Sequence, residues 1–139
     1  MAERIFRKKS EKSGRSDISA LSASLSDMNG APADPKAVDL LEEKGFDGHG
    51  HKSRLLTEEI AAETDMILVM EQQHRDMIIE KYPDAAGKIF LLKPFYTSCT
   101  QPDSDHTNDI SDPHKRSNYH YRLCFAEIYM AIEGLIKCI

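Results

Sequence analysis

Thr64-Asp65-Met66-Ile67-Leu68-Val69-Met70-Glu71 holds an unbroken apolar run, 66–70, between charged residues. The run is too short for a helix of its own and has no polar residue at alternate positions. It therefore predicts a strand covered on both faces, as strands of parallel sheets are. Downstream, 71–82 reads as a helix stopped by Pro83, and 89–92 as a second buried strand. Upstream, Thr57 caps a short helix whose first turn holds Glu58 and Glu59, where carboxylates meet the positive end of the helix dipole. Asp34 and Pro35 open another helix, which ends at Lys44 before Gly45. Helices alternating with short apolar strands predict an α/β fold built on a parallel sheet.

The flanks follow the same pattern. Residues 1–13 place Ala2, Ile5 and Phe6 on one helical face, and Gly14 stops the helix. Residues 18–24 are small and partly β-branched and read as a strand. Residues 94–118 form a long polar loop, and a loop of that length inside a compact domain is usually functional. From Tyr121 onward, Phe125, Ile128, Ile132, Leu135 and Ile139 recur at helical spacing and predict a terminal amphipathic helix packed on the sheet.

A length of 139 residues fits one domain, 1–139, large enough to bury a core. The net charge of −5 and pI of about 5.6 argue against a nucleic-acid partner, which would call for a basic surface. The apolar runs are too short to span a bilayer, and Met1 is followed by charged residues instead of a signal peptide's apolar stretch. The expectation is a cytoplasmic protein. Cys99, Cys124 and Cys138 are odd in number and widely spaced, so free thiols in a reducing compartment are expected. His49 and His51 lack a third convergent ligand in the sequence, and neither a metal nor another cofactor is called for.

Three segments carry a family likeness. They are His51-Lys52-Ser53-Arg54 leading into Thr57-Glu58-Glu59, then 64–71, then Asp109-Ile110-Ser111-Asp112-Pro113. In order and spacing the chain resembles a low-molecular-weight protein tyrosine phosphatase of the bacterial type. The resemblance implies a flavodoxin-like open parallel sheet in three layers, with helices on both faces. In such a chain a strand and a C-x5-R phosphate loop precede a helix whose start reads like Met1-Ala2-Glu3. The resemblance thus implies that the first, central strand is missing here, that the domain is truncated at its N-terminus, and that it folds poorly alone. The preferred expectation is that the intact protein carries the strand and loop upstream of Met1; the competing one is a true truncation, prone to aggregate through two open strand edges.

The implied chemistry is phosphomonoester hydrolysis through a phosphocysteine. A cysteine thiolate attacks phosphorus, loop amides and an arginine hold the phosphoryl oxygens, and an aspartic acid protonates the leaving group. By resemblance Asp112 is that general acid and later the base, and Pro113 stiffens the loop that presents it. Ser22 and His51 correspond to residues that support the phosphate loop, and would lack their partners without it. Met28 corresponds to an apolar wall for a phosphotyrosine ring, and His114 and Lys115 line the substrate side, where Lys115 and Arg116 could equally be solvated cations beside a turn. The implied partner is a phosphotyrosine-containing protein or a small aryl phosphate.

No cysteine in the sequence can begin the phosphate loop. Six residues after Cys99 stands Asp105, six after Cys124 stands Met130, and Cys138 is too near the last residue. As written the chain is expected to be inactive. The alternatives are a non-catalytic, phosphatase-like remnant or binding protein, and a protein-arginine phosphatase or arsenate reductase of the same fold. An unrelated flavodoxin-like domain would call for a flavin phosphate loop that is equally absent.

Overall fold

In a computed structural model that describes residues 1–26, 30, 32–102 and 106–139, Ile67–Val69 (β1) and Ile89–Leu91 (β2) pair in parallel. Ile67 lies opposite Ile89, Leu68 opposite Phe90, and Val69 opposite Leu91. Successive side chains of a strand point to opposite faces, so this ladder divides the core. Leu68 and Phe90 join Ile5, Leu41, Phe125 and Ile132 on one side. Ile67, Val69, Ile89 and Leu91 join Ala61, Ile78 and Ala85 on the other. The first side is covered by Ala2–Lys12 (α1), Pro35–Glu43 (α2) and Asn118–Cys138 (α5), and the second by Glu58–Glu63 (α3) and Gln72–Lys81 (α4). This is the α/β fold with helices on both faces of a parallel sheet.

The local signals act as their chemistry requires. Asp34 Oδ1 accepts the Lys36 amide at 3.0 Å, and Gly45, at φ 82°, lets the chain turn away after α2. Thr57 Oγ1 accepts the Ile60 amide at 3.2 Å at the start of α3. α5 begins at Asn118, three residues before the predicted start, and buries Cys124, Phe125, Ile128, Ala131, Ile132 and Leu135 along one stripe.

Three expectations are corrected. Residues 18–24 do not form a strand, and among the described residues their ladder contact is a parallel bridge from Ser24 to Leu55. An extended segment becomes a strand only beside a partner, and here the Arg7 guanidinium donates to the Ala20 carbonyl at 3.1 and 3.3 Å instead. The 94–118 segment is not wholly irregular, since 3₁₀ turns form at Lys93–Tyr96 and His106–Asn108. Finally, Cys99 and Cys138 are joined in a disulfide across 39 residues, leaving Cys124 as the free cysteine. The cause is packing that spacing cannot reveal. The turn at Lys93–Tyr96 lies directly on α5, so close at Gly134 that a Cβ there would fall 1.8 Å from the Phe95 carbonyl oxygen. That contact carries the following loop, with Cys99, over the end of α5.

Gln101 treats the edge of β2 like a strand. Its side chain accepts the Leu91 amide at 2.8 Å and donates to the Leu91 carbonyl at 3.2 Å. Among the described residues, no helix is long and apolar enough to cross a membrane.

Candidate active site

The segment that carries Asp112 is fastened before it is exposed. The Ile110 amide donates to the Met70 carbonyl at 2.8 Å, just past β1, and the Ile110 side chain is 1% exposed. Asp109 Oδ1 accepts the Gln72 amide at 2.8 Å, so a residue from this distant loop caps α4, whose own N-cap residue Glu71 supplies no side-chain bond. Lys93 Nζ reaches the Asp109 carbonyl at 3.4 Å and Glu127 at 3.1 Å. Asp112 follows two residues beyond this anchor and is exposed.

A tight turn then fixes its direction. Asp112 Oδ1 accepts the His114 amide at 3.0 Å, and the Arg116 amide donates to the Pro113 carbonyl at 2.9 Å. Lys115, at φ 62°, is the one non-glycine residue with positive φ among the described residues. That conformation is rare for a residue with a side chain, and such departures gather at functional turns. His114, Lys115 and Pro113 therefore sit together with Asp112 in one turn.

Asp34 holds this turn from below. Its Oδ2 accepts the Tyr121 hydroxyl and lies 3.3 Å from His114 Nδ1, while Lys36 Nζ donates to the Arg116 carbonyl at 3.3 Å. The Tyr121 hydroxyl keeps the Asp34 carboxyl below the usual carboxylate range. The same bond pushes the Tyr121 phenol up to about 12. Asp34 is legible in the sequence as a helix cap, and Tyr121 as the start of the terminal helix. Their pairing over 87 residues is not.

Ser22 and His51 form a second group around Glu3. The Ser22 hydroxyl donates to Glu3 Oε2, and Glu3 Oε1 also meets Arg7 at 2.7 Å. Ser22 thus has a partner, contrary to expectation, because α1 supplies a carboxylate. His51 makes no hydrogen bond among the described residues, and its pKa is lowered, chiefly by burial and then by the Met1 amino group. Burial also lowers that amino group. Met28 lies outside the described residues.

Cys124 feels the charge of Asp112 and that of the Met1 amino group. Its thiol is pushed up to about 11, first by burial and then by the charges of Glu127 and Asp112, with the Met1 amino group acting in the opposite sense. A thiol held so high is protonated at neutral pH and is no nucleophile. The described side chains thus include an exposed aspartate on a fixed turn, a separate Glu3–Ser22 pair, and a buried thiol that keeps its proton at neutral pH.

The known proteins to which this chain is similar include phosphatases. A family model described as "Low molecular weight phosphotyrosine protein phosphatase" matches residues 1–139. The protein-arginine-phosphatase of Bacillus subtilis (strain 168) is 33% identical over 137 residues, which cover 99% of this chain and 85% of that protein. A probable low molecular weight protein-tyrosine-phosphatase, EpsP of Ralstonia nicotianae, is 29% identical over 99 residues, 71% of this chain and 61% of the relative, so the match spans less than two thirds of that protein's length. The solved structure of the low molecular weight protein tyrosine phosphatase from T. tengcongensis superimposes with a TM-score of 0.86 at 31% identity, covering 99% of this chain and 88% of that one. The chain belongs to the low molecular weight phosphotyrosine protein phosphatase family.

Proposed function

We propose that these 139 residues form the acid-bearing part of a phosphoprotein phosphatase, with Asp112 as general acid and then general base. The observation that carries this is the fixed turn at 112–116, built on the Ile110 and Asp109 anchors and clamped by Asp34. In the first step a cysteine thiolate bonds to phosphorus as the bond to the leaving oxygen breaks, and Asp112 gives that oxygen its proton. In the second, the Asp112 carboxylate takes a proton from water as the water oxygen displaces sulfur from phosphorus, releasing phosphate. Ser22 and His51 support the phosphate loop, and His114 and Lys115 face the substrate.

The thiolate and its arginine belong to a C-x5-R loop that this sequence does not contain. We propose that turnover requires that loop, joined through a strand ahead of α1, and that residues 1–139 are a single domain short of this segment. The favoured substrate is a phosphotyrosine-bearing protein or small aryl phosphate. Phosphoarginine is the second candidate, favoured by the relative named protein-arginine-phosphatase, which covers 99% of this chain.

The test joins a strand and C-x5-R loop ahead of Met1 and compares Asp112→Asn with the parent. For phosphotyrosine, whose phenolate leaves reluctantly, kcat/KM, which reports the steps up to release of the leaving group, should fall by about 10²–10⁴-fold. For p-nitrophenyl phosphate, whose leaving group needs little protonation, the loss in kcat/KM should be far smaller. Equal losses of kcat/KM on both substrates, or none on either, would place the acid elsewhere.

A further inference from the structure

Away from the acid turn, α1, the end of α2 and the middle of α5 enclose a groove of about 610 Å³, within the size range of ligand-binding sites. Its floor is aromatic. Phe125 and Tyr129 stack with ring centroids 5.9 Å apart, and Phe46 meets Phe125 edge-on at 5.9 Å. Phe46 and Phe125 are 7% and 8% exposed, while Met130, at one side, is 41% exposed. The rings are thus recessed, shaped to receive a side chain more than to press into a flat surface.

The rim is cationic. Lys8, Lys9, Lys12, Lys44 and Arg122 line it. Lys9 is paired with Glu133 at 2.6 Å and Arg122 with Glu43 at 3.0 Å. Lys8 Nζ lies 4.9 Å from the centre of the Phe46 ring, and Lys9 Nζ 3.9 Å from that of Tyr129. Lys12 and Lys44 are exposed and have no carboxylate partner among the described residues. Five cations against two paired carboxylates, in a chain of net charge −5, concentrate positive potential over an apolar floor. Such a combination selects for an anionic ligand that also carries an apolar anchor.

We propose that this groove docks an acidic segment of a partner protein. One aromatic side chain of that segment rests on the Phe46, Phe125 and Tyr129 floor, and flanking Asp or Glu residues meet Lys12 and Lys44. Phe125 and Tyr129 lie four and eight residues beyond Tyr121 on α5, about 6 and 12 Å along the helix axis, so the aromatic floor lies beyond the acid turn, and only the rim residue Arg122 adjoins Tyr121. Docking there does not depend on turnover.

The probe is a fluorescein-labelled peptide, Glu-Asp-Glu-Phe-Glu-Asp-Glu, titrated with the 139-residue chain and followed by anisotropy in about 50 mM NaCl. Saturable binding is expected, at least tenfold weaker for the Lys12→Glu, Lys44→Glu double variant and at least fivefold weaker when the peptide's Phe is replaced by Ser. The double variant should keep the parent's circular dichroism and unfolding midpoint, since both lysines are exposed. No saturable binding up to about 1 mM protein, or equal affinity for parent and variant, would overturn the proposal. So would tighter binding to duplex DNA or to phosphatidylserine vesicles than to the peptide. Sedimentation showing a dimer that the double variant abolishes would assign the groove to a second copy of this chain, and would equally overturn it.

Discussion

Asp34 accepts the Lys36 amide on one carboxylate oxygen and the Tyr121 hydroxyl on the other, and it lies beside His114. Its pKa is lowered in the folded chain, so its stabilisation is fully present above the ordinary carboxylate range and is lost as pH falls through the depressed folded value. Asp34→Asn should therefore cost about 2 kcal/mol at neutral pH, from a weakened cap and a weakened charged hydrogen bond. Urea unfolding should show that difference shrinking in acid. The phenol of Tyr121 runs the other way. Its raised pKa means that stability present below pH 10 is lost as pH rises toward about 12, a limb that Tyr121→Phe should remove. Gly134 makes a sharper case, because alanine normally stabilises a helix interior relative to glycine by about 1 kcal/mol. Here the added Cβ would fall 1.8 Å from the Phe95 carbonyl oxygen, so Gly134→Ala should instead cost at least about 2 kcal/mol. Gly87, with nothing within 4 Å of such a Cβ, is the control for the same denaturation experiment. The sequence shows Asp34 beside Pro35 and so announces a cap. It cannot show that Tyr121 or Phe95 will be waiting across the fold.

Elements with a local cause are legible, and those with a distant cause are not. β1 and β2 follow from continuous apolar runs, and α2 and α3 from caps that form the expected bonds. The 18–24 segment has strand-like composition but finds a ladder partner only at Ser24, because pairing is decided by neighbours and not by propensity. The acid loop shows both situations. Asp112 with Pro113 stands out in the sequence, whereas the Asp109 cap on α4 links residues 37 apart and leaves no local sign. The disulfide is illegible for the same reason, since nothing in the spacing of Cys99 and Cys138 places the Lys93–Tyr96 turn on α5. Closing a loop of 39 residues stabilises by about 4 kcal/mol in the chain-entropy model. Reduction, or Cys99→Ser, should lower the unfolding free energy by roughly that amount. Unchanged stability on adding dithiothreitol would mean that the bond does not form in solution.

At the scale of the whole molecule, the parallel ladder separates two apolar clusters, and the acid turn emerges where β1 ends and α5 begins. α2 and α5 then bring Asp34 and Tyr121 together beneath the turn that carries Asp112, while α1 holds Ser22 through Glu3. The one cysteine at that place, Cys124, is pushed to about 11 by burial and keeps its proton. The scaffold is thus present with Asp112, the proposed acid, on its fixed turn, while no C-x5-R loop stands in the sequence. The most direct measurement is hydrolysis of p-nitrophenyl phosphate by the pure 139-residue chain, beside the same chain carrying a strand and C-x5-R loop ahead of Met1. Turnover should be absent in the first and present in the second, and should be lost again when the loop cysteine is replaced by serine. Hydrolysis by the 139-residue chain alone, or none by the loop-bearing form when its fold is intact, would contradict the division of labour drawn here.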